Sequence, residues 1–259
     1  MTGLMAAPTG APLLVVNDVA AGYRGAQPCV RGVSLAVHRG ECVALVGASG
    51  CGKSTLARAI TGLLPRGAAV SGSILLGGTQ VVGAPDVVLR RLRGRTVGVV
   101  SQNPFAACNP VHSLERHVAE AWRAHGEQPP PGRVVELLAR NGIDDAERRA
   151  RQRPHQWSGG MLQRATIAAA CAFDPPLVIA DEPTSALDAH LADGILRQLC
   201  SSEARALLLI SHDLAQVSAH ADRIAVMHGG QIVEIGPTSA LLEAPEHPYT
   251  RALLAEQLR

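Results

Sequence analysis

The chain has 259 residues, enough for one large domain or for a core carrying an inserted subdomain. Its 47% apolar share is ordinary, and a formal charge of +2 is too small to suggest nucleic acid as the main ligand. No run approaches the ~18 apolar residues that a membrane-spanning helix needs, so any membrane role must pass through a partner.

Residues 1–12 are rich in Ala, Gly, Pro and Thr and read as a flexible segment. The first fourteen residues lack the basic stretch and apolar core of a secretory signal. Short strands are expected at 13–16 and 33–37. A compact apolar run at 42–46 then enters Gly47-Ala48-Ser49-Gly50-Cys51-Gly52-Lys53-Ser54-Thr55, which fits G-x-x-x-x-G-K-[ST], and 56–64 reads as a helix. In that order, strand, glycine loop and helix wrap backbone N–H groups around a nucleotide phosphate chain and aim the helix dipole at it. Lys53 is the single lysine among 24 basic residues. A compact ammonium reaches between phosphates as a point charge better than a planar guanidinium does. The candidate phosphate-binding residues are Gly47, Ser49, Gly50, Cys51, Gly52, Lys53, Ser54 and Thr55, and the Ser54 hydroxyl is also a candidate Mg2+ ligand.

Further along, 73–76 and 96–100 are strand-like. Helical spacing then takes over, as in Leu114, Val118, Ala121 and Trp122, and again in Val134, Leu137 and Leu138. Pro129-Pro130-Pro131-Gly132 divides this region, which reads as an inserted helical subdomain. A small-residue helix follows Met161, and strands are expected at 177–180, 206–210, 223–227 and 231–235. Strands alternating with helices imply an α/β fold with a mostly parallel sheet flanked by helices. The arginine clusters at 90, 91, 93, 95 and at 148, 149, 151, 153 read as solvated faces rather than anion sites, with a contact to a partner protein as a further possibility. The six cysteines form no C-x-x-C pair; several lie in apolar stretches and read as small buried hydrophobes in a reduced, cytosolic chain, while Cys51, in the glycine loop, could be alkylated or oxidised there.

Four features narrow the chemistry. The apolar run 177–180 ends in Asp181, placed to hold Mg2+, and Glu182, placed to polarise an attacking water. Without the glycine loop this would be a strand and an acidic turn. Trp157-Ser158-Gly159-Gly160-Met161 opens a helix with Ser158 as cap, a tip suited to a γ-phosphate, although a bare Ser-Gly-Gly is more often a plain turn. His212 follows a strand and could reach the same phosphate; a lone histidine is otherwise structural. Gln102 ends the strand before the helical region and could touch both Mg2+ and the water.

These motifs, G-A-S-G-C-G-K-S-T, S-Q-N-P, W-S-G-G-M-L-Q-R, L-V-I-A-D-E-P-T-S-A-L-D and S-H-D, stand in the order found in the nucleotide-binding subunits of ABC transporters, which the chain resembles from about residue 13 onward. The resemblance implies a phosphate-loop core with N-terminal antiparallel strands, one ATPase domain over 13–259 and a helical subdomain inserted at 103–165. It implies ATP and Mg2+ as ligands, with Gln102, Glu182 and His212 catalytic and Ser54, Gln102 and Asp181 at the metal. A head-to-tail dimer is implied too, in which each ATP lies between one subunit's glycine loop and the other's Ser158-Gly159-Gly160. Tyr23 matches the aromatic that stacks on adenine, although a tyrosine in a turn is as readily a packing residue, and the Ser185-Ala186-Leu187-Asp188 loop, with Asp188, matches the segment that crosses the dimer. Transmembrane permease subunits, a homodimeric or heterodimeric ATPase partner and, indirectly, a substrate-binding protein follow from it, as does a peripheral position on the cytoplasmic face of the membrane.

Trp157 and Met161 depart from the common pattern of leucine and glutamine. The methionine, Gln102-Asn103-Pro104, Asn109-Pro110-Val111-His112 and Pro245-Glu246-His247-Pro248-Tyr249-Thr250 look like the peptide and nickel importer branch. The segment around 109–125 tilts the expected cargo toward nickel or a metal chelate over peptides. The alternatives are an ABC ATPase of a soluble complex, as in phosphonate degradation, and a metabolite kinase, which would leave Ser158-Gly159-Gly160 and His212 without a role.

Overall fold

A computed structural model describes residues 11–185, 187–200 and 205–257. Most of the expected 1–12 segment, and Ala186 in the Ser-Ala-Leu-Asp loop, lie outside them. In chain order the elements are β1 Leu14–Gly22, β2 Val30–Val37, β3 Cys42–Val46, α1 Lys53–Ile60, β4 Ala69–Leu76, β5 Thr79–Gln80, α2 Asp86–Leu92, β6 Val97–Val100, α3 Pro104–Ala107, α4 Leu114–Arg123, α5 Arg133–Arg140, α6 Ala146–Ala150, α7 Gly159–Ala170, β7 Leu177–Asp181, α8 Ala189–Cys200, β8 Ala206–Ser211, α9 Leu214–Ser218, β9 Arg223–His228, β10 Gln231–Pro237, α10 Thr238–Glu243 and α11 Pro248–Gln257.

Two sheets form. The first, in order β2-β1-β4-β5, is antiparallel throughout. The second, in order β10-β9-β3-β8-β7-β6, is parallel except for the β9–β10 pair. Its central strands are apolar on both faces because both are covered. The period of two is clean. Val43 and Leu45, Leu177 and Ile179, Leu208 and Ile210 join one apolar cluster with α1 and the antiparallel sheet. Cys42, Ala44 and Val46, Val178 and Ala180, Leu207 and Leu209 join another with α8, α9 and α11. The helices α4, α5 and α7 enclose a third cluster of their own around Leu114, Val118, Trp122, Leu138 and Leu162.

Several details differ from the sequence reading. The helix expected at 56–64 begins at Lys53 and ends at Ile60. Its first turn is Lys-Ser-Thr, which apolar periodicity does not mark, and at its end the Thr61 hydroxyl turns back to the Ala57 carbonyl at 2.9 Å. The strand expected at 73–76 extends back to Ala69 through Val-Ser-Gly-Ser, a stretch whose composition reads as a turn. The arginine cluster at 90–95 is only partly a solvated face. Arg93 donates to the Thr61 and Gly62 carbonyls at 2.9 and 2.8 Å, covering the C-terminal end of α1. Arg95 pairs with Glu127 and lies 4.5 Å over the Phe173 ring, joining β6 to the helical layer.

Candidate functional site

β3 ends at Val46 and the chain turns directly into the glycine loop. A Cβ at Gly47 would stand 2.1 Å from the Met227 carbonyl oxygen, and one at Gly52 2.5 Å from that of Cys29. Gly52 also sits at φ +112°, which L side chains rarely adopt, so the loop has no room for a residue other than glycine at either place. Lys53 opens α1 with its ammonium buried, donating to the carbonyl oxygens of Gly47 at 2.7 Å and Ala48 at 3.1 Å. Cys51 lies beside it, Sγ 3.9 Å from the Lys53 nitrogen.

The loops after β6, β7 and β8, three adjacent parallel strands, converge on the same opening. Ser54 donates its hydroxyl to Asp181 Oδ1 at 3.1 Å. Glu182 holds a left-handed backbone, φ +46°, and its N–H bonds the Ile210 carbonyl at 2.9 Å, which ties this strained turn to β8. One oxygen of the Glu182 carboxylate accepts from the Gln102 amide at 2.7 Å, and the other lies 3.2 Å from His212 Nδ1. The Tyr23 hydroxyl is 3.4 Å from Thr55 Oγ1. Together Tyr23, Cys29, Ser49, Gly50, Gly52, Lys53, Ser54, Thr55, Gln102, Glu182 and His212 line an open cleft of about 550 Å3.

Burial pushes the Asp181 carboxyl above the ordinary aspartate range, the neighbouring Glu182 adds to this, and the Ser54 hydrogen bond, Arg58 and Lys53 oppose it without cancelling it. Hard oxygen donors with a carboxylate short of positive charge fit Mg2+, which would hold Asp181 ionised.

The remaining candidates lie elsewhere. Ser158 caps α7, accepting from the Met161 N–H at 3.4 Å. A Cβ on Gly159 would meet no atom within 4 Å, while one on Gly160 would stand 3.3 Å from Leu191 and 3.7 Å from Leu187. Asp188 is exposed and accepts from the Leu191 N–H at 3.0 Å at the start of α8. The Ser-Gly-Gly tip and the Asp188 loop are therefore neighbours, and neither lines the cleft.

Two residues near the loop escape motif reading. Cys29 lines the cleft from the turn before β2. Tyr249, noted in sequence only as part of a tail pattern, accepts a hydrogen bond from the Ala48 N–H at 3.2 Å. The distances separating them along the chain leave no local signal.

Fold and cleft define a phosphate-loop nucleotide-binding cassette. The ABC transporter family profile matches residues 30–185, and the chain belongs to that family. It is 43% identical over 253 residues to the oligopeptide transport ATP-binding protein OppD of Mycobacterium bovis, covering 94% of this chain and 41% of that protein. The OppD of Lactococcus lactis subsp. cremoris is 40% identical over 252 residues, covering 93% and 75%. A putative peptide import ATP-binding protein of Brucella ovis is 42% identical, covering 89% and 72%. The chain thus spans less than half the length of the mycobacterial relative. Among solved structures, an ATP-binding subunit of an ABC transporter matches with a TM-score of 0.74 at 28% identity over 95% of this chain and all of that one. The cassette MJ0796, solved as a dimer with ADP and Pi, shares the fold with a TM-score of 0.76 at 24% identity over 87% of this chain and 98% of that one. These relatives are named for peptides; nickel is not shown.

Proposed function

We propose that the chain is the ATP-hydrolysing subunit of an importer, with residues 13–259 forming the ATPase unit and 103–165 its helical subdomain. The observation that carries the reading is the meeting of Lys53, Ser54, Gln102, Asp181, Glu182 and His212 at one opening. The glycine loop and Lys53 take the phosphates of ATP, Tyr23 faces the base, and Ser54, Asp181 and Gln102 hold Mg2+, which neutralises phosphate charge. Glu182 polarises the attacking water and His212 steadies the γ-phosphate. In the arrangement seen, Gln102 and His212 each contact one Glu182 oxygen and so fix how the carboxylate is oriented, leaving each oxygen a further acceptor position for water.

Ser158, Gly159, Gly160 and Asp188 serve the neighbouring subunit's nucleotide in a head-to-tail pair. Their position outside the chain's own cleft, on an open helix tip, supports this. ATP contacts both subunits and ADP lacks the γ-phosphate, so ATP favours closure. The helical layer meets a membrane permease. The support is a second cavity of about 540 Å3 between β6, α2, α4 and α7, together with the exposure of Phe105 and Val111 in the segment that opens the helical layer. Among the described residues no helix is long and apolar enough to cross a membrane, and the subunit sits peripherally on the cytoplasmic face. Peptide is the cargo the relatives' names support, delivered by a separate binding protein; nickel rests on sequence motifs alone. Co-purification from membranes with attached subunits identified, together with ATPase stimulation by peptide-loaded binding protein, tests the reading. Recovery with soluble proteins only, and no stimulation, refutes it.

A further inference from the structure

We infer that α11 is a strut setting the phosphate loop and the His212 turn relative to each other, with Tyr249 and Gln257 as positioning residues. The inference rests on the proposed ATPase function for its consequences, and on contacts alone for its geometry.

At one end, the Tyr249 hydroxyl accepts from the Ala48 N–H at 3.2 Å. That N–H belongs to the same peptide plane as the Gly47 carbonyl, which holds the Lys53 ammonium at 2.7 Å. A bond on one side of a peptide orients its other side and polarises it, so Tyr249 sets where the lysine's anchor points. The tyrosine itself is held: its ring stacks on His228 at a 4.0 Å centroid distance, and its N–H donates to His247 Nδ1 at 3.1 Å. Both the Glu246 and His247 N–H groups donate to Glu234 of β10, at 2.9 and 3.0 Å, fixing the entry to the helix.

At the other end, Gln257 uses its whole amide. Its nitrogen donates to the His212 carbonyl at 2.8 Å and its oxygen accepts from the Leu214 N–H at 2.7 Å. Between the two ends, Leu253 and Leu254 are buried in the apolar cluster beneath the sheet with Leu214 and Val217. Eight residues of helix span about 12 Å, so the strut is one short rigid piece. It grips the backbone of two elements whose side chains both reach the cleft.

Two variants remove the grips with little change of shape. Tyr249→Phe keeps the ring on His228 and deletes only the acceptor. Gln257→Glu keeps the acceptor for Leu214 and loses the donor to His212. With Tyr249→Phe, ATP affinity and KM should weaken about fivefold, the scale of one ordinary hydrogen bond, with kcat nearly unchanged. With Gln257→Glu, kcat should fall about fivefold at unchanged ATP affinity. In both, the thermal midpoint should hardly move. Hydrogen exchange across the phosphate loop, measured without nucleotide, should be faster in Tyr249→Phe than in the parent. Unchanged exchange there overturns the strut whatever the protein does with ATP, and so do losses of affinity and turnover that merely track a lower thermal midpoint. A parent that neither binds nor hydrolyses ATP, with exchange altered as expected, refutes the ATPase reading and leaves the strut standing.

Discussion

Gln102 donates its side-chain amide to the Glu182 carboxylate at 2.7 Å, across 80 positions of sequence. Gln102 stands where the sheet passes into the helical layer, and Glu182 where it meets the phosphate loop. Any movement of the helical layer that shifts Gln102 therefore changes the surroundings of the residue proposed to polarise water.

Glu182→Gln keeps the size of the side chain and removes its charge. Turnover should fall by ~10²-fold or more while ATP binding persists, the usual scale for losing a positioned base. Steady-state phosphate release alongside equilibrium ATP titration checks both halves. Unchanged turnover in the purified variant would remove Glu182 from the role.

Glu41 is a buried carboxylate whose oxygens take Arg223 at 2.9 Å and the His38 N–H at 2.7 Å. Burial alone would raise its pKa; the Arg223 and His38 hydrogen bonds more than reverse this, and the net shift is downward. A depressed carboxyl adds stability that is present above the unfolded value, about 4.3, and is lost as pH falls through the folded value. Glu41→Gln should therefore cost about 2 kcal/mol at neutral pH, with a smaller difference from the parent at acidic pH, below the unfolded value. Urea unfolding at both pH values measures it, and a gap independent of pH contradicts the account.

Trp157 is buried and its indole N–H meets no hydrogen-bond partner among the described residues. Trp157→Leu deletes aromatic area but also relieves an unsatisfied donor, which alone costs about 1–3 kcal/mol. The two effects should nearly cancel, leaving stability within about 1 kcal/mol of the parent, whereas Trp157→Ala should lose roughly 3–5 kcal/mol. A loss well above 1 kcal/mol for Trp157→Leu in denaturant unfolding would show that the indole N–H is satisfied in solution.

Gly98 lies in β6 where it meets α7, and a Cβ there would stand 2.4 Å from the Ala170 carbonyl. Gly98→Ala must push sheet and helical layer apart, at roughly 1–3 kcal/mol. The thermal midpoint should drop, and hydrogen exchange should quicken in α7 ahead of β3. Uniform change across the chain would place the strain elsewhere.

Much of the fold was legible because its signals are short. The unbroken apolar runs at 42–46 and 177–180 show both faces covered, and the glycine loop is marked by residue types that only a phosphate-wrapping turn demands. The first turn of α1 was missed because Lys-Ser-Thr has no apolar period, and the start of β4 because Val-Ser-Gly-Ser resembles a turn until β1 pairs with it. Arg93 looked like part of a solvated face because nothing in its neighbourhood mentions the Thr61 and Gly62 carbonyls it covers. Tyr249 and Gln257 were invisible for the same reason.

The residues that carry chemistry are read from the sequence by themselves, since what a lysine, a carboxylate or a glycine can do is set by its own atoms and those of close chain neighbours. Which of them share an opening was decided by tertiary structure. Glu182 meets Gln102 and His212, while Ser158, Gly159, Gly160 and Asp188 are turned away from it, and Ala48 meets a tyrosine 201 positions distant. Those encounters follow from how strands stack and cores close, a balance of long-range burial against chain entropy that no local window contains.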